Sequence, residues 1–316
     1  MREMRESTKE EREKYYREEW SSEDLPDYLM HSLSLREFGF DHDGSGPSDR
    51  YNQFMTPDKL ADFLKDKAPY AVYGSVALYE RPSNRGQWLK SELAFDIDAK
   101  DVPFTRCDCT GGDVCEICLE DALRTCAEFG DVLDSDLGLD NISYVYSGRG
   151  FHIRVFDDSI MEMGQAGRSQ IVEYVTGSIL PEDSSLSMGY PSVFRERVAR
   201  TFEEVGKSDL KGAGIFGKGG KILLENKERV LDWIEKGRLE KIKDELSGIG
   251  PKYYRKLLDY LTRLNAEYTD GKVTIDKKRI LRVPSTLHST VSRKCTEIQD
   301  IDDFSFEETV PNFLKR

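Results

Sequence analysis

The spacing of apolar positions changes several times along the chain, and each change marks an element. Residues 7–33, "STKEEREKYYREEW" and then "LPDYLMHSL", read as helix. "LREFGF" (35–40) reads as a short strand and "DHDGSGPSD" (41–49) as a loop. "TPDKLADFLKDKA" opens a helix, with Thr56 as N-cap and Pro57 at the first helical position. "YAVYGSVALYE" (70–80) is β-rich, "RPSNRGQ" (81–87) is a turn, and "SELAFDID" (91–98) is the next strand. These two strands are placed to form a hairpin. A helix is predicted over 116–130, with Leu119, Ala122, Leu123, Cys126 and Phe129 on one face. "NISYVYSG" (141–148) and "GFHIRVF" (150–156) read as strands joined by a tight glycine turn, and "SQIVEYVTGSIL" (169–180) as a helix.

Residues 181–265 change character: they are charged and mostly helical, as in "NKERVLDWIEKGRLEKIKDEL". They read as a helical insertion subdomain between two halves of one site, 1–180 and 266–316. The β pattern returns with "VTID" (273–276), "RILRVPS" (279–285) and "TVSRKCTEI" (290–298) before an acidic tail. The order of elements predicts a mixed α/β fold. No repeat or low-complexity tract interrupts it.

Composition narrows the class. The chain has 316 residues, 38% hydrophobic and 10% aromatic, enough for a full core. No apolar run approaches the roughly 18–20 residues of a membrane span, so a soluble, cytoplasmic protein is expected. The net charge of −13 argues against a broadly basic nucleic-acid binder. Net charge is a sum, however, and a local basic groove can coexist with acidic faces. An acidic surface also suits a high-salt cytoplasm.

Candidate chemistry begins with Asp96 and Asp98 at the end of "SELAFDID". In a strand, residues i and i+2 share a face, so the two carboxylates project together while Ile97 packs behind them. Like charges this close repel. A hard divalent cation, Mg²⁺ or Mn²⁺, removes that cost and takes carboxylates together with substrate phosphates. In "YSGRGFHIRV" (146–155), the glycines let a ligand approach the backbone, while Ser147, Arg149 and His152 can donate to triphosphate oxygens. A second basic stretch, "RILRVPSTLHS", carries Arg279, Arg282 and His288. Four of the six cysteines, Cys107, Cys109, Cys115 and Cys118, lie within one loop, and "TGGDV" turns the chain between the two pairs. This is the spacing of a structural Cys₄ zinc site, not of a secreted disulfide framework. Cys126 reads as core, and Cys295 carries no assignment.

Taken in order, D-x-D, the cysteine knuckle, S-G-R-G-x-H, a helical insertion and V-T-x-D-x-x-R-x-x-R-x-P-x-x-L-H resemble the catalytic small subunit of archaeal and eukaryotic DNA primases. The resemblance runs from "REFGF" to "TLHS". It implies the primase fold, with Asp96 and Asp98 as metal-binding acids and Ser147, Arg149 and His152 as nucleotide-binding residues. It implies a third acid just before the "VT" segment, where Asp270 is favoured by its spacing to the later L-H and Asp276 is the rival. Arg282 and His288 match residues that bind the incoming triphosphate, and Arg50 in "DRYNQF" resembles an arginine near the active site. The resemblance further implies a large-subunit partner, a single-stranded DNA template, nucleoside triphosphates as substrates, catalytic Mg²⁺ or Mn²⁺ and structural Zn²⁺. The expected activity is template-directed nucleotidyl transfer that makes primers. Rival readings are a primase-like repair or end-joining polymerase, a non-catalytic zinc-knuckle scaffold and a two-metal nuclease.

Overall fold

The computed structural model describes residues 4–110 and 113–315. Its strands are β1 (Phe38–Asp41), β2 (Asp49–Asn52), β3 (Ala71–Ser75), β4 (Ala77–Arg81), β5 (Gly86–Ser91), β6 (Leu93–Asp98), β7 (Ile142–Tyr146), β8 (Gly150–Val155), β9 (Ile280–Arg282) and β10 (Thr296–Ile298). They form two four-stranded sheets, β2-β1-β3-β9 and β10-β7-β8-β6, and the β4-β5 ribbon. The pairings within them are antiparallel. The first helices are α1 (Lys9–Lys14), α2 (Asp27–Ser32), α3 (Pro57–Lys67), α4 (Glu116–Ser135), α5 (Asp158–Met161) and α6 (Gln165–Thr176). There follow α7 (Tyr190–Glu204), α8 (Lys207–Gly212), α9 (Lys218–Glu225), α10 (Lys227–Glu235), α11 (Lys241–Glu245), α12 (Pro251–Glu267) and α13 (Gly271–Ile275). The architecture is mixed α/β. No helix among the described residues is long and apolar enough to cross a membrane.

Period-two alternation on β6 and β8 separates core from site. Leu93, Phe95 and Ile97 point to one face with Phe151, Ile153 and Val155, where they meet Leu119, Ala122, Cys126 and Phe129 of α4. Burying such side chains is worth about 1.5–3 kcal/mol each, which fixes the register and sends the even-numbered residues the other way. A second core, around Phe38, Phe40, Leu60, Leu64 and Val72, backs the β2-β1-β3-β9 sheet. Between the sheets, Val76, Ala94, Val273 and Leu281 form a small apolar cluster. Helices α7 to α12 surround a separate core that includes Phe194, Phe202, Trp233, Ile242 and Leu257.

Several local expectations change. The N-terminal helix is not continuous. A π-turn at Tyr15–Glu19 ends at Trp20, Ser21 caps a new 3₁₀ turn, and Pro26 precedes α2. The expected hairpin between 70–80 and 91–98 does not form. The turn closes early, with Arg85 in the left-handed region at φ 53°, so Gly86–Ser91 pairs with β4 and β6 is free to pair with β8. Of "VTID", Val273–Ile275 is helix, not strand, and Asp276 follows its end. The Asp270 side chain accepts from the Lys272 N–H and starts the turn, and burial of Val273 against Ala94 and Leu281 overrides β-propensity. Of "TVSRKCTEI", only Thr296–Ile298 is a strand.

Candidate active site

The even-numbered face of β6 meets the matching face of β8. Asp96 lies opposite His152, Ala94 opposite Arg154, and Asp98 opposite Gly150. His152 Nε2 is 3.5 Å from Asp96 Oδ1. Gly150 is required for this pairing, because a Cβ there would sit 2.1 Å from the Ile97 carbonyl oxygen. Beyond it the chain reverses through Ser147–Gly150, closed by the Ser147 N–H donating to the Gly150 carbonyl at 2.9 Å. Gly148 has φ 106°, which glycine adopts without strain.

The second basic stretch packs directly on this turn. A Cβ on Gly148 would lie 2.5 Å from Cβ of His288, so the absent side chain makes room for the histidine. His288 is held by its own loop, where its N–H donates to the Arg293 carbonyl at 2.8 Å. Its Nδ1 accepts from the Thr290 N–H at 3.2 Å, so in the neutral ring the proton is on Nε2, poised to donate. Burial, then Arg282, Arg149 and His152, hold the His288 pKa well below the usual value. Burial, Arg154 and Arg282 do the same to His152. Both imidazoles are therefore neutral at pH 7. Two stretches far apart in sequence thus share one electrostatic environment of arginines and neutral imidazoles. Cys295 takes part: its thiol donates to the Ser147 carbonyl at 3.2 Å.

Asp270 arrives from the far end of the helical region. β6 is an edge strand, and its free carbonyl at Asp96 accepts from the Asp270 N–H at 3.1 Å and from Thr269 Oγ1 at 2.9 Å, a link between residues 173 apart. The Asp96 carboxyl is half-buried, and its pKa is pushed up to about 6 by burial, then by Asp98, with Arg282 opposing and Asp270 adding to the rise. These are acids that repel one another across a small space. Such a hard-oxygen donor set fits a divalent cation. Asp276 lies at the opposite end of α13, exposed, its carboxylate accepting from the Lys278 N–H at 2.9 Å. Asp270 is thus the acid tied through its backbone to Asp96, and Asp276 sits at the other end of the helix.

Arg50 lies on β2, and its side chain crosses Gly39 toward β9: a Cβ on Gly39 would lie 2.9 Å from Arg50 Cδ and 3.3 Å from Ile280 Cδ1. Its Nε donates to the buried Glu37 carboxylate at 2.8 Å, and Arg85 binds the same acid.

Residues that the sequence reading did not single out hold the two sheets in place. Glu92, buried one residue before β6 and in phase with Asp96, accepts from Arg36 and from Arg154, each at 2.8 Å. Arg154 Nη2 also donates to the Arg282 carbonyl at 3.4 Å, linking the sheets beside the histidines. The signal was available: Glu92 and Arg154 fall on the same alternation as Asp96 and His152.

The knuckle brings Cys107, Cys109, Cys115 and Cys118 together, with one sulfur from each within 4.8 Å of the others. Gly111 and Gly112 of the expected "TGGDV" turn lie outside the described residues. The Cys115 and Cys118 sulfurs are 3.8 Å apart, close to the roughly 3.8 Å edge of a tetrahedron with 2.3 Å zinc–sulfur bonds. The cluster could hold a metal ion. Among the described residues no set of three or more carboxylates is drawn as closely together.

A family model described as DNA primase small subunit matches residues 95–300, from the acids through both histidines. The chain is 41% identical to the DNA primase small subunit PriS of Methanobrevibacter smithii over 98% of each chain. It is 41% identical to that of Pyrococcus abyssi, over 99% of this chain and 95% of the relative. With Methanothermobacter thermautotrophicus the identity is 40%, over 96% and 95%. The chain belongs to the DNA primase small-subunit family, the catalytic primase subunits of DNA replication. Membership implies a primer-synthesising nucleotidyltransferase. Arg50 lies outside the region matched by the family model.

Proposed function

We propose that this chain catalyses template-directed nucleotidyl transfer from nucleoside triphosphates, making short primers without a pre-existing 3′ end. The observation that carries the reading is the attachment of Thr269 and Asp270 to the Asp96 carbonyl, on the sheet that also carries the Gly148–His288 contact. Mg²⁺ or Mn²⁺ held by Asp96, Asp98 and Asp270 would activate the attacking 3′-hydroxyl and neutralise charge at phosphorus. The chain's own part is binding and orientation. His288 donates from Nε2 to a phosphate oxygen, and Arg149 and Arg282 supply fixed positive charge to the triphosphate. Ser147 and His152 support the site from the same turn and strand, and no side chain is needed as nucleophile. Arg50, whose side chain reaches over Gly39 toward β9, acts at the edge of the site from its pair with Glu37.

Zn²⁺ is the ion proposed for the four cysteines, as a closed structural site that fixes the 105–118 loop. Residues 181–265 form an insertion subdomain around their own core. A large-subunit partner supplies affinity for the single-stranded template, which accommodates a catalytic chain of net charge −13 in the cytoplasm. The test is primer-free synthesis on single-stranded DNA with Mg²⁺ or Mn²⁺. The reading requires new chains from wild type and none from Asp96→Asn. Gap filling without initiation would instead favour a repair polymerase, and metal-independent behaviour with no nucleotide binding would favour a scaffold.

A further inference from the structure

The helical region holds a groove that the nucleotide chemistry leaves unused. Helices α8 and α9 and the loop between them enclose a surface cavity of about 690 Å³. Its floor is aliphatic, from Leu210, Ile215 and Leu224, and Phe216 stands at its side 56% exposed. Gly220 lines it without a side chain. A Cβ there would lie 3.1 Å from the Ile215 carbonyl oxygen, so glycine both lets α9 approach the loop and keeps the groove open.

The rim is basic. Lys207 and Lys211 are spaced i, i+4 on α8 and so share a face, and Lys221 faces them from α9. Neither Lys207 nor Lys211 has an ion-pair partner among the described residues, and only Glu225 offsets the three lysines at the rim. This occurs in a chain with 59 acidic against 46 basic residues, so a rim of three lysines and one glutamate around an apolar floor is a local departure from the prevailing charge. An acidic ligand is repelled over most of the surface and attracted here, which gives orientation as well as affinity.

We infer that this groove docks an acidic amphipathic helix of a partner protein. The partner's apolar stripe lies over Leu210, Ile215, Leu224 and Phe216, and its carboxylates meet Lys207 and Lys211. A single-stranded nucleic acid fits less well, because its bases need successive aromatic faces and this floor offers one ring among aliphatic side chains. None of the groove residues belongs to the nucleotide pocket, so the inference is independent of the proposed reaction.

The probe is a fluorescent synthetic helix of about 18 residues with leucine at i, i+3, i+4 and i+7 and glutamate on both flanks. Its affinity for the full chain is read by anisotropy. The glutamate peptide should bind at least about tenfold more tightly than a scrambled or lysine-flanked version, with affinity falling as salt rises. The double substitution Lys207→Glu with Lys211→Glu should weaken it about tenfold and remove most of the salt dependence. Phe216→Ser should weaken it without changing the salt slope. All three positions are exposed, so circular dichroism and the thermal midpoint should stay at wild-type values. Equal binding of the scrambled peptide, or binding unchanged in both variants, overturns the inference. So does oligo-dT that displaces the peptide and is itself lost in the double variant, since the groove would then serve nucleic acid.

Discussion

Two clusters of like donors stand in this molecule, and they are assembled in opposite ways. The four cysteines come from one loop and the first turn of α4, and their sulfurs already lie within 4.8 Å of one another. The acids come from β6 and from the start of α13, and they stay further apart. The difference is electrostatic. Thiols can stay neutral and pack before a metal binds, as the buried Cys118 does, whereas carboxylates ionise and repel. A soft-donor cluster can therefore be set by local spacing, while a hard-donor cluster needs the whole fold to hold it. Here the Thr269 and Asp270 bonds to the Asp96 carbonyl, together with the Glu92–Arg154 link, do that holding.

The comparison can be broken by substitution. The largest effect is expected at Asp96. Asp96→Asn should cut primer synthesis by roughly 10³-fold in single-turnover assays while leaving bound zinc, measured by mass spectrometry, unchanged. His288→Asn comes next. Losing a hydrogen bond to a charged oxygen is worth about 1.5–3 kcal/mol, so NTP affinity should weaken by about 10–150-fold, with little change in zinc. Cys118→Ser should do the reverse, releasing the zinc and exposing the 105–118 loop to protease while lowering the rate by less than about tenfold. An equal loss of zinc and activity in either direction would mean that the two clusters are one functional unit.

The smallest effect is in the pH dependence of stability. His152 and His288 have lowered folded-state pKa values, so the stability they confer as neutral rings is fully present above about pH 6.5 and is lost as pH falls. Asp96 works the other way. Its raised pKa confers stability below its ordinary value that is lost as pH rises through about 6. Thermal midpoints from pH 7 to 4 should therefore fall less steeply in His288→Asn than in wild type, and more steeply in Asp96→Asn.

What could be read from the sequence follows the range of each interaction. Local rules located the Thr56 cap, the α4 stripe, the glycine turn and the cysteine knuckle, because each is fixed by neighbours a few residues away. Partner choice at longer range was hidden. Nothing between residues 70 and 98 announced that β6 would leave β4 and pair with β8, and β-branched "VTID" gave no sign of the helix that tertiary packing imposes. Arg50 is paired with buried Glu37, an acid that the strand pattern alone did not mark as charged core.

The central claim is that Asp270, carried to β6 by its backbone, completes a cation site with Asp96 and Asp98 while Asp276 does not. Mn²⁺ binding by electron paramagnetic resonance, in the presence of a non-hydrolysable NTP, tests it directly. The account predicts that Asp270→Asn loses most Mn²⁺ binding and that Asp276→Asn binds as wild type does. The opposite pattern, with Asp276→Asn deficient and Asp270→Asn intact, would contradict it.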